Sequence, residues 1–197
     1  MKVVLATSNP GKLAEFKALS TQAPDLDLIL APPGFNPEET GATFIENALI
    51  KARAAAALCH LPAIADDSGL TVEAMDGRPG IHSARYCEGS DGDRRKKLLL
   101  ELKNVPAGKR QAAFVCAIAL VDSEGKVLFT CEEKWQGSIS TEEHGTHGFG
   151  FDSLFIPLND SQTSAQLEPS VKNQRSHRGQ AWSRFLNHLA TQISRKA

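Results

Sequence analysis

No apolar run in this 197-residue chain approaches the roughly 20 residues that a bilayer-spanning helix needs, so no membrane partner is expected. The N-terminus carries no leader pattern and goes straight into a strand-like segment, which makes the cytoplasm the expected location. Cysteine is sparse: Cys59, Cys87, Cys116 and Cys131 are scattered and form no Cys-x-x-Cys pair. That spacing argues against a disulfide framework, and the apolar settings of Cys116 and Cys131 predict buried free thiols. Net charge is only −1, so no global field favours nucleic acid, and any anionic ligand must be recognised locally. His144 and His147 lie three apart without an evident third ligand, so zinc is not expected. Spaced Walker glycines are missing, as is a Gly-x-Ser-x-Gly elbow. Without a repeat, low-complexity tract or composition break, residues 1–197 are read as one domain.

What is present begins with punctuation and periodicity. Residues 2–6 read as a buried strand, and Pro10-Gly11-Lys12 opens a helix through about residue 20. A second short strand is predicted at 27–30, followed by a Pro- and Gly-rich loop over 31–41. Thr43-Phe44-Ile45-Glu46 has capping-box spacing and starts a helix to about Cys59. The run Pro62-Ala63-Ile64-Ala65 is expected to end as a strand at Asp66, with Leu70-Thr71-Val72-Glu73-Ala74 alternating again beyond it. Residues 91–103 predict a helix, and the stretches 112–121 and 126–135, joined by Asp122-Ser123-Glu124-Gly125, predict a hairpin. Residues 161–180 fit no element, and a last helix is placed at about 181–193. Early strand–helix alternation followed by a hairpin implies an α/β fold with a mixed sheet.

Three segments carry chemistry. Thr7-Ser8-Asn9-Pro10-Gly11-Lys12 stands between a strand and a helix N-terminus, where free N–H groups favour phosphate, although a plain turn capped by Asn9 explains it equally well. Asp66-Asp67-Ser68-Gly69 offers hard oxygen ligands suited to Mg²⁺ on a phosphorylated substrate. Adjacent strand carboxylates point to opposite sides, so one is expected to face substrate and the other to support it. Glu38-Glu39-Thr40-Gly41 leads into a helix on which Asn47 and Lys51 share a face. Further on, Phe149, Gly150, Phe151 and Asp152 combine aromatic faces with a carboxylate able to read a nucleobase, or else anchor a loop in the core. Ser176-His177-Arg178, with Lys172 upstream, suits carbonyl-rich or anionic groups, or forms a basic surface loop. Arg94-Arg95-Lys96-Lys97 reads as a solvated helix face.

Taken in order, these blocks resemble the inosine triphosphate pyrophosphatase family, the house-cleaning dITP/XTP pyrophosphatases. The resemblance spans Thr7-x-Asn9-x-x-Lys12, residues 38–52, 65–70 and 79–86, Gly148-Phe149-Gly150-Phe151-Asp152 and Ser176-His177-Arg178. It implies an elongated mixed central sheet flanked by helices, with two lobes around an active-site cleft, in a homodimer. It further implies Mg²⁺-dependent cleavage of deaminated purine nucleoside triphosphates between the α and β phosphates. By position, Thr7, Ser8, Asn9, Pro10, Gly11, Lys12 and Lys51 would hold the triphosphate. Glu39 and Asp67 would bind the metal, Asp67 would also be the catalytic base, Asp66 would support them and Ser68 would touch substrate. Phe149, Gly150, Phe151, Asp152, Lys172, His177 and Arg178 would form the nucleoside pocket.

The chain departs from the family pattern at Phe151 and Ser153, where Tyr and Pro are usual, and at Gln166, Ser170, Val171 and Arg175. These departures bear on base choice and leave the carboxylates and lysines intact. A pyrophosphatase for a modified pyrimidine, a nucleotide sensor without turnover, and an RNA-binding module built on Arg94 to Lys97 are the rival readings. A substrate panel separates the first, product analysis the second, and salt dependence the third.

Overall fold

The computed structural model describes residues 1–194. Six strands form one sheet in the order β2-β1-β3-β4-β5-β6: β1 Lys2–Leu5, β2 Asp27–Leu30, β3 Ala63–Val72, β4 Gln111–Val121, β5 Val127–Ile139 and β6 Phe155–Pro157. β1 runs parallel to β2 and to β3, whereas β5 and β6 are antiparallel, so the sheet is mixed as expected. The helices are α1 Pro10–Ser20, α2 Phe44–Cys59, α3 Asp91–Glu101, α4 Pro169–Arg175 and α5 His177–Ser194. None of the described helices is long and apolar enough to cross a membrane.

Local chemistry sets the helix starts. Asn9 caps α1 by accepting a hydrogen bond from the Lys12 amide, with Pro10 in the first turn. Thr43 and Glu46 form the anticipated capping box of α2, and Ser90 and Asp93 form another at α3. Two expectations need correction. The carboxylate pair does not end a strand: β3 continues through ten residues, with Asp66 and Asp67 in its middle. What ends there is its neighbour, since β1 pairs with β3 only at Val4–Ala63 and Leu5–Ile64. The last helix also starts four residues before the expected position, so His177 and Arg178 lie in its first turn and not in a loop before it.

The chain divides into two compact units, each with its own core. Among the described residues the first comprises 1–67, 116–133 and 178–194, with Val3, Leu5, Phe16, Ile64, Ile118, Trp182 and Phe185 packed together. Cys116 and Cys131 belong to that core as free thiols, and burial pushes both thiol pKa values up, that of Cys131 to about 11. The second comprises residues 68–115 and 134–177, with Leu70, Leu98, Phe114, Trp135, Phe151 and Phe155 among its core. The chain passes between units within β3, β4 and β5 and again between His177 and Arg178 at the start of α5.

Candidate functional site

In the first unit an acidic and basic cluster gathers around the middle of β3. Asn47 and Lys51, one turn apart on α2, both reach Asp67: Asn47 Nδ2 donates to Oδ2 at 3.3 Å, and Lys51 Nζ stands 2.9 Å from Oδ1. The same Lys51 Nζ is 2.5 Å from Glu39 Oε1, so one ammonium bridges the two carboxylates. Asn47 is fully buried, and its Oδ1 accepts from the Gly41 amide at 2.8 Å, which ties the loop carrying Glu39 to the same helix. A Cβ on Gly41 would lie 2.7 Å from that oxygen, so the approach requires glycine. Burial holds Asp67 above its ordinary pKa despite the nearby lysines. Burial would lower Lys51, but Asp67, Asp66 and Glu39 reverse the effect and raise it.

Asp66 faces different partners. Its Oδ2 is 3.0 Å from Lys12 Nζ and 3.3 Å from Arg178 Nη2, while Arg178 Nη1 is ion-paired with Glu15. Asp66 and Arg178 are almost wholly buried, and the Arg178 guanidinium lies 5.7 Å from the Phe16 ring centre. Burial opposes ionisation of Asp66, yet Lys12 and Arg178 hold its carboxyl well below the usual range. The two neighbouring aspartates thus occupy opposed electrostatic settings on one strand.

The Thr7-to-Lys12 segment is a β1–α1 turn in which Thr7 Oγ1 accepts from the Asn9 amide at 3.3 Å. Thr7, Asn9, Gly11 and Lys12 are half-buried, while Ser8 and Pro10 are exposed. Arg178 belongs with Asp66 and Glu15, whereas its neighbour His177 belongs to the second unit. Glu15 and Asn47 carry the geometry without having been singled out as site residues. Their position three residues after Lys12 and four before Lys51 was the available signal.

In the second unit, Asp152 organises a loop. It is buried, ion-paired with Lys172, accepts from the Phe149 amide at 2.9 Å and accepts from Ser164 Oγ at 2.8 Å. A Cβ on Gly148 would fall 2.0 Å from Asp152 Oδ2, so Gly148, at φ +77°, must stay bare. Phe149 is half-buried with Lys172 Nζ 5.3 Å from its ring centre. Phe151 packs in the core, edge-on to Tyr86 at 6.4 Å. His177 is buried and stacks on Phe114, with ring centres 4.9 Å apart and planes 14° from parallel. Ser68 is half-buried on β3. The basic run on α3 is less solvated than expected: Arg94 meets Asp91, Arg95 meets Glu143, and Lys97 lies over the Tyr86 ring at 4.3 Å.

The sequence pattern of the Ham1 family matches residues 3–188. A dITP/XTP pyrophosphatase of Vibrio parahaemolyticus is 46% identical over 98% of both chains. Another, from Pseudomonas aeruginosa, is 46% identical over 91% of this chain and 92% of its own. Among solved structures, a HAM1 protein from Coxiella burnetii superposes with a TM-score of 0.86 at 40% identity, covering 97% of this chain and 99% of its own. The Staphylococcus aureus Ham1 protein gives 0.83 at 37% identity over the whole of both chains.

Proposed function

This chain belongs to the Ham1 family, and from that premise we propose that it is a nucleoside triphosphate pyrophosphatase that hydrolyses deaminated purine nucleotides, dITP, ITP, dXTP and XTP, to the monophosphate and pyrophosphate. One observation supports the chemistry most directly: a buried Asp67, its pKa raised by burial, stands beside Glu39 with Lys51 between them. A carboxylate with a raised pKa is suited to taking a proton from water, the step that produces the attacking hydroxide. Lys51 and Lys12 supply cationic donors for phosphate oxygens, and Asp66 with Glu15 keeps Arg178 and Lys12 in place.

The donor set also fits Mg²⁺. Among the described residues no group of three or more His, Cys, Asp or Glu side chains is able to hold a metal. Two hard carboxylates are what Mg²⁺ takes from a protein when substrate phosphates and waters complete its shell. Glu39 and Asp67 would hold it, two carboxylates that both stand within ion-pair distance of the Lys51 ammonium. Bound Mg²⁺ supplies neutralisation of the charge that builds on the phosphates during cleavage.

Base choice rests on the second unit. Lys172, buried and oriented by Asp152, is a donor suited to the 6-oxo group of hypoxanthine and xanthine, and the exposed part of Phe149 offers a stacking face. Adenine places an amino group where that oxygen stands, leaving the buried donor unpaired. The reading includes a homodimer, as the sequence resemblance implies, and the reduced cytoplasm as the default setting for its free thiols.

Product analysis with purified protein, Mg²⁺ and a panel of dITP, XTP, dGTP, dATP and dUTP tests it. Monophosphate plus pyrophosphate, chiefly from dITP and XTP, is the expected result. Orthophosphate release, or no turnover on any of the five, overturns it.

A further inference from the structure

The loop that carries Phe149 is built to be loose. Gly148 and Gly150 flank the aromatic residue, both with positive φ, at +77° and +61°. Such a tripeptide has no intrinsic preference for one ring direction. Yet its backbone is held at four consecutive polar groups. Asp152 accounts for two of them: its carboxylate accepts from the Phe149 amide, and its own amide donates to the Phe149 carbonyl at 3.2 Å. The other two come from elsewhere. Asp91 Oδ2 accepts from the Gly150 amide at 2.8 Å, and Arg95 Nη1 donates to the Gly150 carbonyl at 2.9 Å.

Asp91 and Arg95 are one turn apart in the first half of α3, so a single helix grips both polar groups of one glycine. Arg95 is itself aimed: its Nε donates to Glu143 Oε2 at 2.7 Å, and the same oxygen accepts from Ser153 Oγ at 3.0 Å. Ser153 stands where the resembled family usually has proline, and here its hydroxyl ties the far side of the loop to the same network. Asp91 is also paired with Arg94 at 3.2 Å. As surface ion pairs, the side-chain contacts contribute little to stability. Their geometric effect is larger, because charge-assisted bonds to backbone are short and directional.

We propose that Asp91 and Arg95 are positioning residues that determine base specificity: by clamping the Gly150 peptide they set the direction of Phe149 beside Lys172. This rests on the functional reading above. Neither side chain is required to touch the base. Each acts on selectivity through the loop, since a ring displaced by a fraction of an ångström stacks on any purine with less dependence on where the 6-position lies.

The test uses the full chain with D91N, R95K and S153A, in two arms. In the first, amide hydrogen exchange and the ¹⁵N–¹H shift of Gly150 are followed by NMR without substrate. D91N is expected to speed Gly150 exchange by about tenfold and move its amide upfield, since it weakens the charge-assisted bond that amide donates, whereas R95K, which alters the bond to the Gly150 carbonyl, is expected to shift the Phe151 amide of the same peptide. In the second, kcat and KM are measured for dITP and dGTP. The ratio of kcat/KM for dITP over dGTP is expected to fall about five- to tenfold in D91N and R95K, and less in S153A, with the loss falling on KM more than on kcat. Asp91→Asn keeps an acceptor and Arg95→Lys keeps a charge, so both preserve the helix. A merely structural role would lower melting temperature and kcat for both substrates together, leave the ratio unchanged and overturn the proposal. An unchanged Gly150 amide in D91N overturns it as well. Wild-type protein that cleaves neither substrate overturns the functional reading and the specificity claim with it. An unchanged ratio in an active enzyme removes this proposal alone.

Discussion

Asp67 receives two side chains from one face of α2, an amide from Asn47 and an ammonium from Lys51, and still holds its proton more tightly than an ordinary aspartate because burial outweighs both. That balance belongs to a proton acceptor more than to a structural anchor. Asp67→Asn keeps the shape and the hydrogen-bond count while removing the only property that a base needs. Turnover of dITP is expected to fall by about 10³-fold or more, with circular dichroism and melting temperature preserved. Near-normal activity in that variant would refute the assignment of Asp67. Lys51→Met is expected to have a mixed effect. It removes the proposed phosphate donor, and it leaves Asp67 and Glu39 without the ammonium that joins them.

At the scale of elements, α2 and α3 each hold a loop by a local device. The loop bearing Glu39 depends on Gly41, whose added Cβ would stand 2.7 Å from Asn47 Oδ1 and from Glu46 Cβ. Gly41→Ala is therefore expected to cost about 1–3 kcal/mol by chemical denaturation. Because it displaces Asn47 from beneath Asp67, it is also expected to reduce kcat. A cost below a few tenths of a kcal/mol would mean the loop re-forms elsewhere. Arg110 does similar work beyond α3. It is buried and donates to the carbonyls of Leu102, Val105 and Ser140 at 2.9, 2.9 and 3.1 Å. Arg110→Met removes three hydrogen bonds and leaves the buried Ser140 carbonyl without this donor, and a loss of about 3 kcal/mol in unfolding free energy is expected.

The same elements show what was legible in the sequence. Thr43 and Glu46 announced α2 because a capping box is a local code, and the Asp122-to-Gly125 turn announced the β4–β5 connection for the same reason. In the sequence β3 reads as two pieces because Asp66-Asp67-Ser68-Gly69 has poor strand propensity. Burial with Lys12, Lys51 and Arg178 overrides that propensity, and all three partners are distant in sequence. The start of α5 was hidden because its first turn carries His177 and Arg178, whose burial depends on Phe114, Asp66 and Glu15. Site residue types were visible in the motifs. The separation of Arg178 from His177, and the placing of Phe151 in the core, depend on tertiary packing that spacing does not encode.

Across the whole molecule, a net charge of −1 leaves no strong overall field, so the response to acid is governed by a few buried carboxylates. Asp66 and Asp67 are adjacent but move in opposite directions from the ordinary value of 3.8. Asp66 is depressed, so its contribution is fully present above pH 3.8 and is lost as pH falls toward its folded value. Asp67 is raised, so its protonated form favours the fold at low pH, and that contribution is lost as pH climbs through its folded value, above 3.8. The two asparagine variants should therefore give mirror-image stability profiles. Asp66→Asn is expected to be less stable than the parent at neutral pH, by about 3 kcal/mol because Arg178 and Lys12 lose a buried partner, with the gap closing below pH 3.8. Asp67→Asn is expected to match the parent in acid and to equal or exceed its stability at neutral pH, while being inactive. Denaturation curves from pH 1.5 to 8 in a buffer free of divalent metal read both directly. Parallel profiles for the two variants would show that one environment governs both carboxylates, and would remove the distinction between the supporting aspartate and the reactive one.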